Sequence, residues 1–175
     1  MCIRDRARGW RDRVRRYPVL IFGAGGAARA IAYGLLKAGS CDVRIVNRNL
    51  SRAQKLCKYL KDRSVTAFAQ QDLDSAAQDV GLMVNASSCG MVGFPPLDVD
   101  LTKLNCHKQV FICDIVYNPL QTSFLTQGQS CGFPNVDGLG MLIHQARAAF
   151  AAWFGVRPEA SVALRHQLVN NSTSC

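Results

Sequence analysis

The feature that most constrains this chain is a glycine turn between two very different runs, "YPVLIFGAGGAARAIAYGLLKAG", residues 17–39. The apolar stretch 17–23 reads as a short buried strand. The alanine- and leucine-rich stretch 26–39 reads as a helix stopped by Gly39. Between them, "GAGGAA" (23–28) fits G-x-G-x-x-G/A with Gly23, Gly25 and Ala28. Gly23 permits a tight turn, Gly25 lets the backbone approach a pyrophosphate, and Ala28 lets helix and strand pack closely. The helix start offers unpaired N–H groups and a partial positive charge to phosphates. Such a turn can be purely structural. Strand, turn and helix in the required order favour a dinucleotide site.

The rest of the chain continues the alternation. Strands are expected at 42–47, 64–69, 81–87 and 109–117, with a sixth at 133–138, and helices at 50–62, 73–79, 121–132 and 139–156. This pattern predicts an α/β fold, a doubly wound (Rossmann-like) parallel sheet with helices on both faces. Ligands of such folds bind beyond the carboxyl ends of the strands. That rule directs attention to residues 23–28, 47–52, 85–90, 114–119 and 137–145. On the last helix, Leu139, Leu142, Ala146, Ala149 and Trp153 form an apolar stripe expected to pack on the sheet. Met141 and Gln145, four residues apart, share another face.

The end of the second strand decides which dinucleotide is read. An NAD site places an Asp or Glu about 20 residues beyond the glycines, on the ribose 2′-OH. Here Asp42 opens the strand and stands at the wrong end of the sheet. The carboxyl end reads "NRNLSR" (47–52). A carboxylate there would repel a 2′-phosphate, whereas a guanidinium binds one through charge-assisted hydrogen bonds. Arg52 lies one helical turn beyond Arg48, and Asn49 is placed to cap the helix that follows. A solvated basic loop is the plain alternative. Beside the glycine turn, Asn47, Arg48 and Arg52 favour NADP over NAD.

Charge and cysteines narrow the class further. The 175 residues carry a net charge of +9. Residues 1–16 hold seven arginines against Asp5 and Asp12, so +5 of that excess is local to one segment. No aromatic residues interleave with the basic ones as a base-stacking surface requires, so no nucleic-acid partner is expected. The segment lacks the apolar region of a secretory signal. It is read as an arginine-rich stretch outside the domain, with the domain at 17–160 and a tail at 161–175. None of the eight cysteines forms a CxxC pair. No metal site is expected, and reduced thiols suit a cytoplasmic protein. No stretch has the length and purity of a membrane span.

Joined to "NASSCGM" (85–91), "DIVYNPLQTSFL" (114–125) and "VDGLGMLIHQA" (136–146), the two motifs make the chain resemble shikimate dehydrogenases, in particular their carboxy-terminal NADP-binding domain. The resemblance runs from about residue 17 to about residue 160. It implies that Gly23, Ala24, Gly25, Gly26 and Ala27 wrap the pyrophosphate. Asn47, Arg48, Asn49 and Arg52 would hold the adenosine 2′-phosphate and its surroundings, although the family more often carries Thr or Ser at the position of Asn49. Ser87 would lie near the cofactor. Ile115, Gly138 and Met141 would border the nicotinamide, and Tyr117 and Gln145 would reach a shikimate or 3-dehydroshikimate substrate.

The resemblance also implies an amino-terminal domain that binds most of the substrate and supplies a catalytic lysine and aspartate. No matching motif stands in this chain, so no catalytic residue is assigned. The chain is expected to be a cofactor-binding fragment with little or no turnover alone. A quinate/shikimate dehydrogenase of mixed specificity and a stand-alone NADP-binding module remain as alternatives. The oligomeric state is not set by the sequence.

Overall fold

The computed structural model describes residues 10–172. Six strands form one sheet, every pairing parallel: β1 (Val19–Phe22), β2 (Val43–Asn47), β3 (Val65–Ala69), β4 (Leu82–Asn85), β5 (Phe111–Asp114) and β6 (Asn135–Val136). Their order across the sheet is β3-β2-β1-β4-β5-β6. The chain starts in the middle, builds outward through β2 and β3, then returns to the other side of β1. This reversal opens a crevice at the carboxyl ends of β1 and β4, where doubly wound folds bind ligands.

Both faces of the sheet are covered, which is why its inner strands read as unbroken apolar runs. Along β1, Val19 and Ile21 face one buried cluster, while Leu20 and Phe22 face the other. The crossover helices are α2 (Gly26–Lys37), α3 (Leu50–Leu60), α4 (Leu73–Ala77) and α5 (Ser123–Ser130), and α6 (Leu139–Phe154) follows the last strand. Local chemistry sets their ends. Asn49 is the N-cap of α3, its side chain accepting from the Arg52 N–H, and Lys61 closes that helix in a left-handed conformation. Thr122 caps α5 through the Leu125 N–H. Among the described residues, no helix is long and apolar enough to cross a membrane.

Three features differ from the sequence reading. Residues 10–16, expected to stand outside the domain, form a helix, α1 (Trp10–Arg16), while residues 1–9 lie outside the described residues. Its Val14 is 1% exposed in the core, and Trp10 packs against the same cluster. The arginines around it reach backbone carbonyls, Arg15 donating to Ala38 at 3.1 Å and Arg13 to Gln109. Charge hides this helix in the sequence because only two apolar residues, Trp10 and Val14, dock it among the arginines.

At the other end, part of the expected tail is helix α7 (Val162–Ser172). Its Arg165 pairs with Asp137 at the start of α6, at 2.5 Å. The third difference is the apolar stripe of α6, which does not pack along the sheet. Leu139 and Ile143 are buried, but Trp153 is 76% exposed. A helix of 16 residues spans about 24 Å, and the neighbouring β6 has two residues, so the helix overruns the surface it starts on.

Candidate functional site

The glycine turn leaves β1 at Gly23, whose φ of 105° lies in the region that favours glycine. A Cβ there would come within 3.0 Å of the Ala86 carbonyl oxygen, so glycine also lets β1 and β4 close on each other. At Gly25 and Gly26 an added Cβ meets nothing within 4 Å. The turn is therefore open on its outer side, and Gly25 caps α2 with backbone alone. The first N–H groups of α2 have no side-chain acceptor in front of them, the state that suits an incoming phosphate.

A cavity of about 480 Å³ lies beside this turn, across the ends of β1, β2 and β4. Gly23, Ala24, Gly25, Asn47, Arg48, Arg52 and Ser87 all line it. The sequence motifs thus converge on one opening. Arg48 and Arg52 are exposed, and neither guanidinium pairs with a carboxylate among the described residues. Asn47 donates to the Asn49 carbonyl at 2.9 Å, which fixes the bend from β2 into α3. Asn49 is spent on its cap and does not line the cavity. The opposite wall, not foreseen in the sequence, includes Gln70, which donates to the Asp98 carbonyl at 2.8 Å.

Gly26 lines a smaller neighbouring cavity, whereas Ala27 lines neither. Ile115, Tyr117, Gly138, Met141 and Gln145 also lie outside both cavities. Two of these five are in intimate contact. Gly138 donates its N–H to the Val116 carbonyl at 3.1 Å, and a Cβ on it would run into the Ile115 carbonyl. The start of α6 is thereby pressed against the segment after β5. Tyr117 and Gln145 are exposed, and Met141 is half-buried.

Beneath the cavity wall lies a buried polar network that the sequence reading missed. Asn85 and Asp114, the last residues of β4 and β5, are fully buried together with Thr122. Asp114 accepts from Asn85 at 3.0 Å, the Val116 N–H at 2.9 Å and the Thr122 hydroxyl at 2.7 Å. Asn85 in turn accepts from the Ser87 hydroxyl at 2.7 Å and the Ser87 N–H at 3.1 Å, and donates to the Cys89 carbonyl at 3.0 Å. The Ser87 hydroxyl also accepts from the Cys89 N–H. It lines the cavity as a braced group. Burial pushes the Asp114 carboxyl above the ordinary carboxylate range, against three hydrogen bonds that favour its ionised form. The signal in the sequence was a polar residue closing each of two apolar runs, "LMVN" and "FICD".

Comparison with known proteins agrees with this geometry. The family model for shikimate / quinate 5-dehydrogenase matches residues 6–120, and that for the shikimate 5′-dehydrogenase C-terminal domain matches residues 138–165. A shikimate dehydrogenase (NADP(+)) of Rhodospirillum rubrum is 44% identical over 166 residues, covering 93% of this chain and 57% of the relative. One from Brucella abortus is 42% identical over 169 residues, with 93% and 55% covered. The chain therefore spans little more than half the length of these curated relatives.

Among solved structures, a Thermus thermophilus shikimate 5-dehydrogenase in complex with NADP(H) and shikimate aligns with TM-score 0.66 and 31% identity, over 86% of this chain and 56% of that one. A Corynebacterium glutamicum quinate dehydrogenase in complex with NAD aligns with TM-score 0.74 and 29% identity, over 82% and 51%.

Proposed function

Because the chain belongs to the shikimate / quinate 5-dehydrogenase family, we propose that its crevice binds NADP and serves the NADPH-dependent reduction of 3-dehydroshikimate to shikimate. One observation carries the choice of cofactor. Arg48 and Arg52, without a carboxylate partner among the described residues, line the same cavity as Gly23 and Gly25, where an NAD site would present a carboxylate. The residues present fit the nucleotide: an open glycine turn at a helix start for the pyrophosphate, and two guanidinium groups for a 2′-phosphate.

NADPH, when bound, supplies the hydride that reduces the ketone. This chain's own residues bind and orient. The N–H groups after Gly25 would hold the pyrophosphate, and Asn47, Arg48 and Arg52 would hold the phosphorylated ribose. Ser87, held rigid by Asn85, shapes the cavity wall. By the family resemblance, Ile115, Gly138 and Met141 would border the nicotinamide, and Tyr117 and Gln145 would face the substrate. Reduction also needs a proton on the new hydroxyl oxygen. No group of this chain is assigned to that step; the lysine and aspartate implied by the family resemblance would come from an amino-terminal domain. A quinate/shikimate dehydrogenase of mixed specificity is the second reading, favoured by the match to the Corynebacterium enzyme.

Fluorescence titration of the purified chain tests the cofactor assignment. NADPH is expected to bind more tightly than NADH, and Arg48→Asp to weaken NADPH selectively by about 1–3 kcal/mol, the worth of a charged hydrogen bond. Equal dissociation constants for the two nucleotides in the wild type would sink the assignment.

A further inference from the structure

A second cavity, of about 390 Å³, adjoins the first and shares Ala24, Gly25 and Arg52 with it. Its distinctive lining is cationic: Arg29 from α2, and Arg52 and Lys55 from α3, with no carboxylate among the lining residues. Arg52, Lys55 and Tyr59 follow one another at helical spacing and share a face of α3. Arg29 lies across the gap, its guanidinium carbon 5.0 Å from the centroid of the Tyr59 ring. The ring holds the cation over the opening by cation–π attraction.

The placement of these charges needs an explanation. Helix starts carry partial positive charge and favour acidic side chains, by about 0.3–1 kcal/mol each. Neither α2 nor α3 has an acidic residue in its first turn. Instead Arg29 and Arg52 stand near those two positive ends, with Lys55 one turn further along α3. Three cations and the start of α2 converge on one opening without a neutralising group among the cavity's residues. That arrangement is unfavourable in the free chain and becomes favourable when a dianion enters.

We propose that Arg29 and Lys55 are specificity-determining residues for the nucleotide, forming the outer wall of the 2′-phosphate site. Arg52, common to both cavities, is the shared post. The phosphate is gripped by Arg48 from the dinucleotide groove and by Arg29 and Lys55 from the far side. This inference rests on the NADP reading above. It adds that selectivity extends beyond the "NRNLSR" loop onto the first helix after the glycine turn.

The test is a titration of the full chain and of an Arg29→Ala/Lys55→Ala double variant with NADPH, NADH and 2′,5′-ADP at two salt concentrations. Both side chains are exposed, so a thermal unfolding curve matching that of the wild type is the folding control. The double variant should lose roughly tenfold in affinity for NADPH and for 2′,5′-ADP, equivalent to about 1.4 kcal/mol. It should keep its NADH affinity and show a shallower salt dependence. Unchanged NADPH affinity, or an equal loss for NADH, overturns the inference while leaving the NADP assignment intact. A wild-type chain without preference for NADPH overturns the NADP assignment itself, and this inference with it.

Discussion

Arg48 and Arg52, beyond β2, hold their charges in solvent with no carboxylate partner among the described residues, whereas Asp114, closing β5, holds its carboxyl in the interior with three donors around it. Both regions lie at the carboxyl edge of one sheet, on either side of the same crevice. The first has exposed hydrogen-bonding capacity and no structural task. The second has a structural task, with three donors already on its carboxyl. On the proposed reading, the unmet exposed charges beside the open turn serve ligand recognition, and the satisfied buried carboxyl belongs to the frame that shapes the crevice. Substitutions should therefore separate the two regions, changing nucleotide affinity on one side and folding stability on the other.

The largest effect is expected where the frame is tightest. Gly138 has an ordinary helical conformation, φ −77° and ψ −13°, so space alone demands glycine there. Gly138→Ala would push a methyl group into the backbone carbonyls of Ile115 and Val116. Because neither partner is a flexible side chain, the cost should be at the upper end of overpacking, about 3 kcal/mol or more. Urea denaturation would show it as a lowered midpoint. A midpoint within error of the wild type would mean that α6 is not seated on the β5 segment as described.

Asp114→Ala comes next. It strips the acceptor from Asn85, from the Val116 N–H and from the Thr122 hydroxyl, and stranded buried donors cost about 1–3 kcal/mol each. Water entering the gap offsets part of this, so a net loss of about 2–3 kcal/mol is expected. Arg48→Asp supplies the contrast. An exposed substitution of this kind stays within about 0.5 kcal/mol in stability while weakening NADPH. If Arg48→Asp destabilised the fold as much as Asp114→Ala, the division between recognition and frame would collapse.

The same division explains what could be read from the sequence. Gly23, Gly25, Arg48 and Arg52 are legible because their meaning is local: a turn after a strand, and the residues that end the next one. The parallel sheet is legible because strands covered on both faces leave uninterrupted apolar runs. Asn85 and Asp114 stand 29 positions apart and meet only once β4 and β5 are neighbours, so the polar residue that closes each apolar run shows no partner in the sequence, although Thr122 lies only eight positions beyond Asp114. The stripe on α6 shows a related limit. Periodicity identifies the apolar face of Trp153 and Ala149 but not what covers it. Val14 was lost among arginines for the opposite reason, since its burial depends on one contact surface and not on a repeating pattern.

The smallest expected effect sharpens the comparison most, because it asks which force governs Asp114. Burial favours the protonated acid, while three hydrogen bonds favour the carboxylate, and burial is the larger influence. In the unfolded chain an aspartate titrates at about 3.9. With the folded value raised above this, the native state binds a proton over a pH range in which the unfolded state has released it. Ionising Asp114 then costs stability: the penalty is fully present above the raised folded value, fades as pH falls through it, and vanishes below about 3.9. Asp114→Asn removes the titration while keeping a polar group of the same shape. Unfolding free energies of both proteins, measured by urea denaturation from about pH 7 down to about pH 4.5, should shift in the wild type's favour as pH falls. A shift in the opposite direction would mean that the donors outweigh burial and hold Asp114 as a carboxylate, making it an anchored charge like an ion-pair partner and not a buried acid.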